Sequence, residues 1–210
     1  MSVAVKICGL REPRGLDAAI AAGADFVGFV FAPSRRRVTP EEAAALRRRV
    51  PPRGPATVGV FVDEPPATVR AVADVVGLDF VQRCGAEPPE ADWGRPVLRA
   101  IRLRRRVPWR RLETWTSRGA RLLVDSFTPG AFGGSGELGN WAVAARLAQR
   151  QPILLAGGLR PENVGAAIAA VRPWGVDVSS GVETDGEKDP AKISAFIAQA
   201  RATAPKGEQL

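Results

Sequence analysis

The residues best suited to chemistry stand at the ends of short apolar runs. Cys8 closes Val3–Cys8 and precedes a glycine, and Asp125 closes Ala120–Asp125. Gly157 and Gly158 follow Pro152–Ala156, and Ser180 and Gly181 follow Val176–Ser179. A thiol, with an ordinary pKa of about 8.5, serves as a base once its thiolate is favoured, but most free cysteines are simply small buried hydrophobes. An aspartate donates a proton only where burial or a neighbour keeps it protonated. At such a junction Asp125 can equally cap the following loop, sharing that work with Ser126 and Thr128. Glycine allows backbone N–H groups to approach an anion closely, and a glycine pair is otherwise a tight turn. The chain contains no histidine, which removes Ser-His-Asp and Cys-His hydrolysis from consideration. No cysteine spacing suggests a metal site.

The elements that must position these residues alternate between two patterns. Near-continuous apolar runs at Val3–Cys8, Asp25–Phe31, Ala56–Val62, Leu78–Gln82, Pro96–Arg102, Ala120–Asp125, Pro152–Ala156 and Val176–Ser179 read as parallel strands buried on both faces. Helical patterns lie between them. Thr39-Pro40-Glu41-Glu42 offers an N-cap, a proline at N1 and a capping-box glutamate. Pro161-Glu162 and Asp189-Pro190 read as further helix starts, whereas Glu87 to Trp93, with two prolines, allows only a short helix. Eight strands alternating with about eight helices, without a linker, predict one α/β domain over residues 1–210. Eight is the number that closes a (β/α)8 barrel filled by side chains; a doubly wound open sheet is the second choice. In a barrel the chemistry belongs to the loops at the C-terminal ends of the strands, where Cys8 and Asp125 fall.

Composition narrows the setting. A hydrophobic fraction of 45% is enough for a real core. No run approaches the roughly 18 apolar residues of a membrane span, and the first ten residues show no secretory pattern. Two cysteines make no disulfide framework. The expectation is a reduced, soluble, cytoplasmic protein. The net charge of +8 comes mostly from arginine, clustered at 35–37, 47–49 and 102–111. Without an RNA- or DNA-binding motif, these clusters favour solvated surface or a site for a small anion over a nucleic-acid interface.

Five segments carry a specific resemblance: KICGL (6–10), GADFVGFVF (23–31), VGVFV (58–62), LLAGGLRPENV (154–164) and VDVSSGVE (176–183). In this order and spacing the chain resembles the phosphoribosylanthranilate isomerases, from end to end. The resemblance implies a ribulose-phosphate-binding TIM barrel and an Amadori rearrangement in tryptophan biosynthesis, without cofactor or metal. It implies that Asp125 is the acid that opens the furanose and Cys8 the base at sugar C2. It places Arg36, flanked by Arg35 and Arg37, on the anthranilate carboxylate. Gly157, Gly158, Ser180 and Gly181 follow strands seven and eight, where barrels commonly form a phosphate site from backbone N–H groups, and the matching motif implies that Asp177 orders the site. The implied partner is a small phosphorylated substrate, for a monomer or homodimer that binds neither membrane nor nucleic acid.

Two segments depart from the family pattern. Gln82-Arg83-Cys84-Gly85 replaces the usual Gln-Leu-His-Gly, and Gly139-Asn140 replaces Phe-Asp before Trp141. The glycine-rich stretch from Phe127 to Asn140 is read as a lid, with a plain flexible loop as the alternative. Cys84 is read as a tolerated replacement, not a second base. With two strands between them, at about 4.8 Å per step, Cys8 and Cys84 are expected to be too far apart for a disulfide. A divergent isomerase of another aminoaldose, or a silent phosphate-binding barrel, are the competing readings.

Overall fold

The computed structural model describes residues 3–85, 91–103, 109–125 and 141–203. Eight parallel strands form the barrel: β1 (Ala4–Cys8), β2 (Phe26–Val30), β3 (Ala56–Phe61), β4 (Phe80–Arg83), β5 (Val97–Arg102), β6 (Arg121–Asp125), β7 (Ile153–Ala156) and β8 (Gly175–Val178). Each pairs with the next, and β8 returns to β1, closing the sheet on itself. The doubly wound alternative is thereby excluded. Parallel strands buried on both faces need apolar residues at every position, and the alternation serves two cores. Phe26, Val58, Leu98, Leu123 and Leu154 fill the interior. Val5, Ile7, Val27, Phe29, Leu122 and Leu155 point outward into the layer covered by helices.

That outer layer consists of α1 (Pro13–Ala21), α2 (Pro40–Arg47), α3 (Pro66–Val76), α4 (Trp109–Thr116), α5 (Trp141–Ala148), α6 (Val164–Val171) and α7 (Pro190–Thr203). The expected capping box on α2 is present: Thr39 Oγ1 accepts from the Glu42 N–H at 3.2 Å, and Glu42 accepts from the Thr39 N–H at 2.8 Å. Asp189 caps α7 by accepting from the Ala191 N–H at 2.9 Å. Among the described residues no helix is long and apolar enough to cross a membrane.

Three of the differences from expectation have clear local causes. β4 begins at Phe80, not Leu78, because Gly77 ends α3 in the left-handed region (φ 73°) and the Leu78 N–H still bonds the Ala73 carbonyl. α6 begins at Val164, after a turn over Arg160–Asn163 that occupies the predicted start. The loop after β8 contains a one-turn 3-10 helix (Ser180–Val182) and a small hairpin, β9 (Glu183–Thr184) with β10 (Glu187–Lys188), closed by Asp185-Gly186 with both φ positive. The short helix expected over Glu87 to Trp93 falls largely outside the described residues, and Ala91 to Trp93 are not helical. The expected lid, Phe127 to Asn140, and the caps at Ser126 and Thr128 lie outside the described residues.

Candidate active site

Strand alternation turns Lys6 and Cys8 to the same side, into the barrel. Lys6 is fully buried, and its Nζ lies 2.8 Å from Asp177 Oδ1 on the neighbouring β8. Burial opposes the ammonium, but the Asp177 carboxylate and the Cys8 sulfur reverse that effect and hold Lys6 above the ordinary lysine range. Gly28, paired with Cys8 in the adjoining strand, makes room for both groups. A Cβ there would stand 3.1 Å from the Cys8 Sγ and 3.2 Å from the Lys6 Nζ. Cys8 itself is 7% exposed, and both cysteines are free.

A cavity of about 680 Å³ opens over the C-terminal ends of the strands. Asp125, at the end of β6, lines it together with Asp177, Gly157, Gly158, Ser180 and Gly181. Six of the eight residues singled out in the sequence thus share one wall. Cys8 and Arg36 lie beside that wall rather than in it. Cys84 also lines the cavity, within hydrogen-bonding reach of Gln82 Nε2 at 3.5 Å. Burial pushes the Cys84 thiol above its ordinary pKa. Arg83 points the other way, out of the barrel, with its guanidinium 4.2 Å from the centre of the Trp93 ring.

The two glycine loops are built against each other. Gly157 (φ 98°) and Gly158 (φ 66°) need the left-handed region that only glycine adopts without strain. Asn163 braces their loop, donating to the Gly158 carbonyl at 3.0 Å and accepting from the Arg160 N–H at 2.8 Å. A side chain at Gly181 would overlap the Leu159 carbonyl oxygen, so the β8 loop can lie against the β7 loop only as glycine.

Arg36 is held by Glu183, the last residue of the VDVSSGVE segment. Glu183 accepts from Arg36 Nε at 2.6 Å and Nη2 at 2.9 Å, from Lys188 Nζ at 2.8 Å and from Arg35 Nη2 at 2.5 Å. Burial disfavours this carboxylate, yet Arg36 and Lys188 together hold its pKa down at about 2. Lys188 also donates to the Ser179 carbonyl at 2.9 Å, and Ser179 Oγ donates to the Cys8 carbonyl at 3.1 Å. Among the three adjacent arginines, Arg35 reaches Glu183 from an exposed position and Arg36 is the more buried of the two. Glu183 and Asn163 lie within the motifs, and Lys188 lies five residues beyond the last of them. Asn163 and Lys188 bond near neighbours in the chain, whereas Arg36, the partner of Glu183, is 147 residues away and was not readable there.

A closed eight-stranded parallel barrel with titratable groups and glycine loops gathered over its strand ends has the architecture of the (β/α)8-barrel enzymes. The model of the family described as N-(5'phosphoribosyl)anthranilate (PRA) isomerase matches residues 5–199, and the chain belongs to that family. An N-(5'-phosphoribosyl)anthranilate isomerase of Desulforudis audaxviator is 49% identical over 205 residues, covering 94% of this chain and 97% of that protein. The phosphoribosyl anthranilate isomerase structure from Thermotoga maritima superposes with a TM-score of 0.82 at 39% identity, covering 95% of this chain and 99% of the other. A phosphoribosyl anthranilate isomerase solved in complex with reduced 1-(o-carboxyphenylamino)-1-deoxyribulose 5-phosphate gives a TM-score of 0.80 at 36% identity, with the same coverage.

Two outcomes follow from this geometry. Because the pKa of Glu183 is depressed from 4.5 to about 2, its contribution to stability is complete above pH 4.5 and disappears as the pH falls toward 2. Urea midpoints measured across that range should therefore fall more steeply for the wild type than for Glu183→Gln. Gly181→Ala should push the β8 loop off the β7 loop and weaken competitive inhibition by inorganic phosphate at least tenfold, with the barrel's circular dichroism kept. Unchanged phosphate inhibition in that variant would remove Gly181 from the anion site.

Proposed function

We propose that the chain catalyses the Amadori rearrangement of N-(5-phosphoribosyl)anthranilate to 1-(o-carboxyphenylamino)-1-deoxyribulose 5-phosphate, as a single-domain cytoplasmic enzyme of tryptophan biosynthesis. The observation that carries this reading is the shared cavity wall, which joins the Asp125 carboxyl to the two glycine loops and to Asp177. Family membership supplies the substrate.

In this reading the substrate phosphate binds to backbone N–H groups around Gly157, Gly158, Ser180 and Gly181. Asp125 gives a proton to the furanose oxygen, and the C1–O bond breaks as the nitrogen lone pair forms the iminium. Cys8, as thiolate, then removes the proton from C2. The electron pair moves toward nitrogen, and the resulting enol tautomerises to the ketose. The Lys6 ammonium stands beside Cys8 on the same face of β1, and Asp177 fixes that ammonium in place. Arg36 binds the anthranilate carboxylate through its planar fork of donors. These steps call on no cofactor. Several of the arginines that make the chain basic have structural partners, such as Arg49 with Asp17 and Arg95 with Asp74, which favours a small anionic ligand over nucleic acid.

The direct test supplies enzymatically generated phosphoribosylanthranilate and follows the loss of anthranilate fluorescence. Asp125→Asn should lower kcat by about 10²- to 10⁴-fold, the usual worth of general acid catalysis, while binding the reduced product with similar affinity. A loss below tenfold would take Asp125 out of the mechanism. Cys8→Ala should abolish turnover with the fold intact, whereas Cys84→Ala should keep most of it. Equal inactivation by both changes, with normal circular dichroism, would mean that the base function is not confined to Cys8.

A further inference from the structure

The Arg36 guanidinium has two edges able to take a carboxylate in bidentate fashion: the side edge, Nε with one Nη, and the end edge, with both Nη atoms. Glu183 occupies the side edge, through Nε at 2.6 Å and Nη2 at 2.9 Å. The end edge is therefore the one left to receive a second carboxylate. We propose that Glu183 is a positioning residue that makes the site selective for a carboxylate-bearing aryl group, by clamping Arg36 on its side edge. The proposal rests on the reading of Arg36 as the aryl-carboxylate ligand.

Four features support it. First, the clamp is rigid: the Glu183 side chain is 5% exposed, and Lys188, 6% exposed, ties its Oε1 to the Ser179 carbonyl. Second, Arg36 is confined from behind, because Gly9 (φ 76°) lies so close to its Cδ and to Ser179 Oγ that any larger residue would collide with them. Third, the charge is unbalanced. Arg35, Arg36 and Lys188 converge on one carboxylate, three positive charges against one negative, so a second carboxylate is electrostatically welcome. Fourth, the clamp begins where the phosphate loop ends, since Glu183 directly follows the Ser180–Val182 turn. The two ends of the ligand are thus gauged against one short segment.

A free arginine would pay rotamer entropy each time it met the ligand, and a clamped one has already lost it. The clamp should therefore act on one ligand group only. The experiment measures the affinity of two reduced product analogues, one with the ortho-carboxylate and one with a plain anilino ring, for wild type, Glu183→Gln, Glu183→Asp and Arg36→Met. Glu183→Gln should weaken the carboxylated ligand at least tenfold and the anilino ligand less than twofold. In turnover, KM should rise much more than kcat falls. Glu183→Asp keeps the charge but cannot span both donors, and should show an intermediate loss of discrimination with the fold preserved. Equal weakening of both ligands, or wild-type discrimination in Glu183→Gln or in Glu183→Asp, overturns the proposal. Arg36→Met separates the premise from the inference. If it does not lower the preference for the carboxylated ligand, the reading of Arg36 fails whatever Glu183 does.

Discussion

The Lys6–Asp177 pair spans the seam at which the barrel closes, and much of the site depends on it. Lys6 is on the first strand and Asp177 on the last, and their residue-to-residue register brings Nζ within 2.8 Å of Oδ1. A fully buried ammonium left without its partner costs several kcal/mol, roughly 3–5 when one member of such a pair is removed. A slip of one residue would set Lys6 against Val176 or Val178 and leave its charge facing apolar side chains. Register and ion pair therefore enforce each other. The same constraint fixes Cys8, two residues along on the same face, and requires Gly28 beside it, since a larger residue would press on both the sulfur and the ammonium.

From this seam the loops rise already bonded to one another. Asn163 shows what that requires. It stands in the N-cap position of α6, where its side chain would ordinarily accept from the first turn of the helix, yet it bonds the Gly158–Arg160 loop instead. A local rule is set aside where the loop lines the cavity over the strand ends, which is where such departures are expected. Ser179 and Lys188 do the equivalent work for the β8 loop, linking it to the Cys8 carbonyl and to Glu183. Donors fixed in place before a ligand arrives need no reorganisation when charge develops, which is the physical basis of electrostatic preorganisation.

The barrel was legible in the sequence because strands buried on both faces leave long apolar runs that little else produces. Cys8, Asp125 and the glycine pairs were legible because they punctuate those runs. The boundaries were less so. Leu78 is as apolar as a strand residue, but its N–H belongs to the stop signal of α3. Asp185-Gly186 is a two-residue hairpin signal, but it stands among polar residues after β8 with only two residues of strand on either side. Glu183 could not be assigned a role from sequence alone. Its chemistry lies in Arg36, 147 residues earlier, and nothing local in either segment announces the pair. For Lys6, strand alternation accounts for its place beside Cys8, but nothing local sets it against Asp177, 171 residues away.

The position that most clearly departs from the family pattern, Cys84, can be understood from its surroundings. It sits on the inner face at the end of β4, next to Gln82, and burial outweighs the Gln82 hydrogen bond and the more distant Lys6 and Arg99 charges in raising its pKa. The thiol is therefore held neutral at the ordinary working pH. An imidazole at the same place would be larger and would titrate near neutrality. Cysteine here places a group that keeps its proton on a wall already lined by Asp125 and Asp177. With no histidine in the chain, the charged side chains lining this cavity among the described residues are Arg102, Asp125 and Asp177. Lys6, held above the ordinary lysine range with Asp177 as its partner, stays an ammonium across the neutral range and keeps its charge beside that wall.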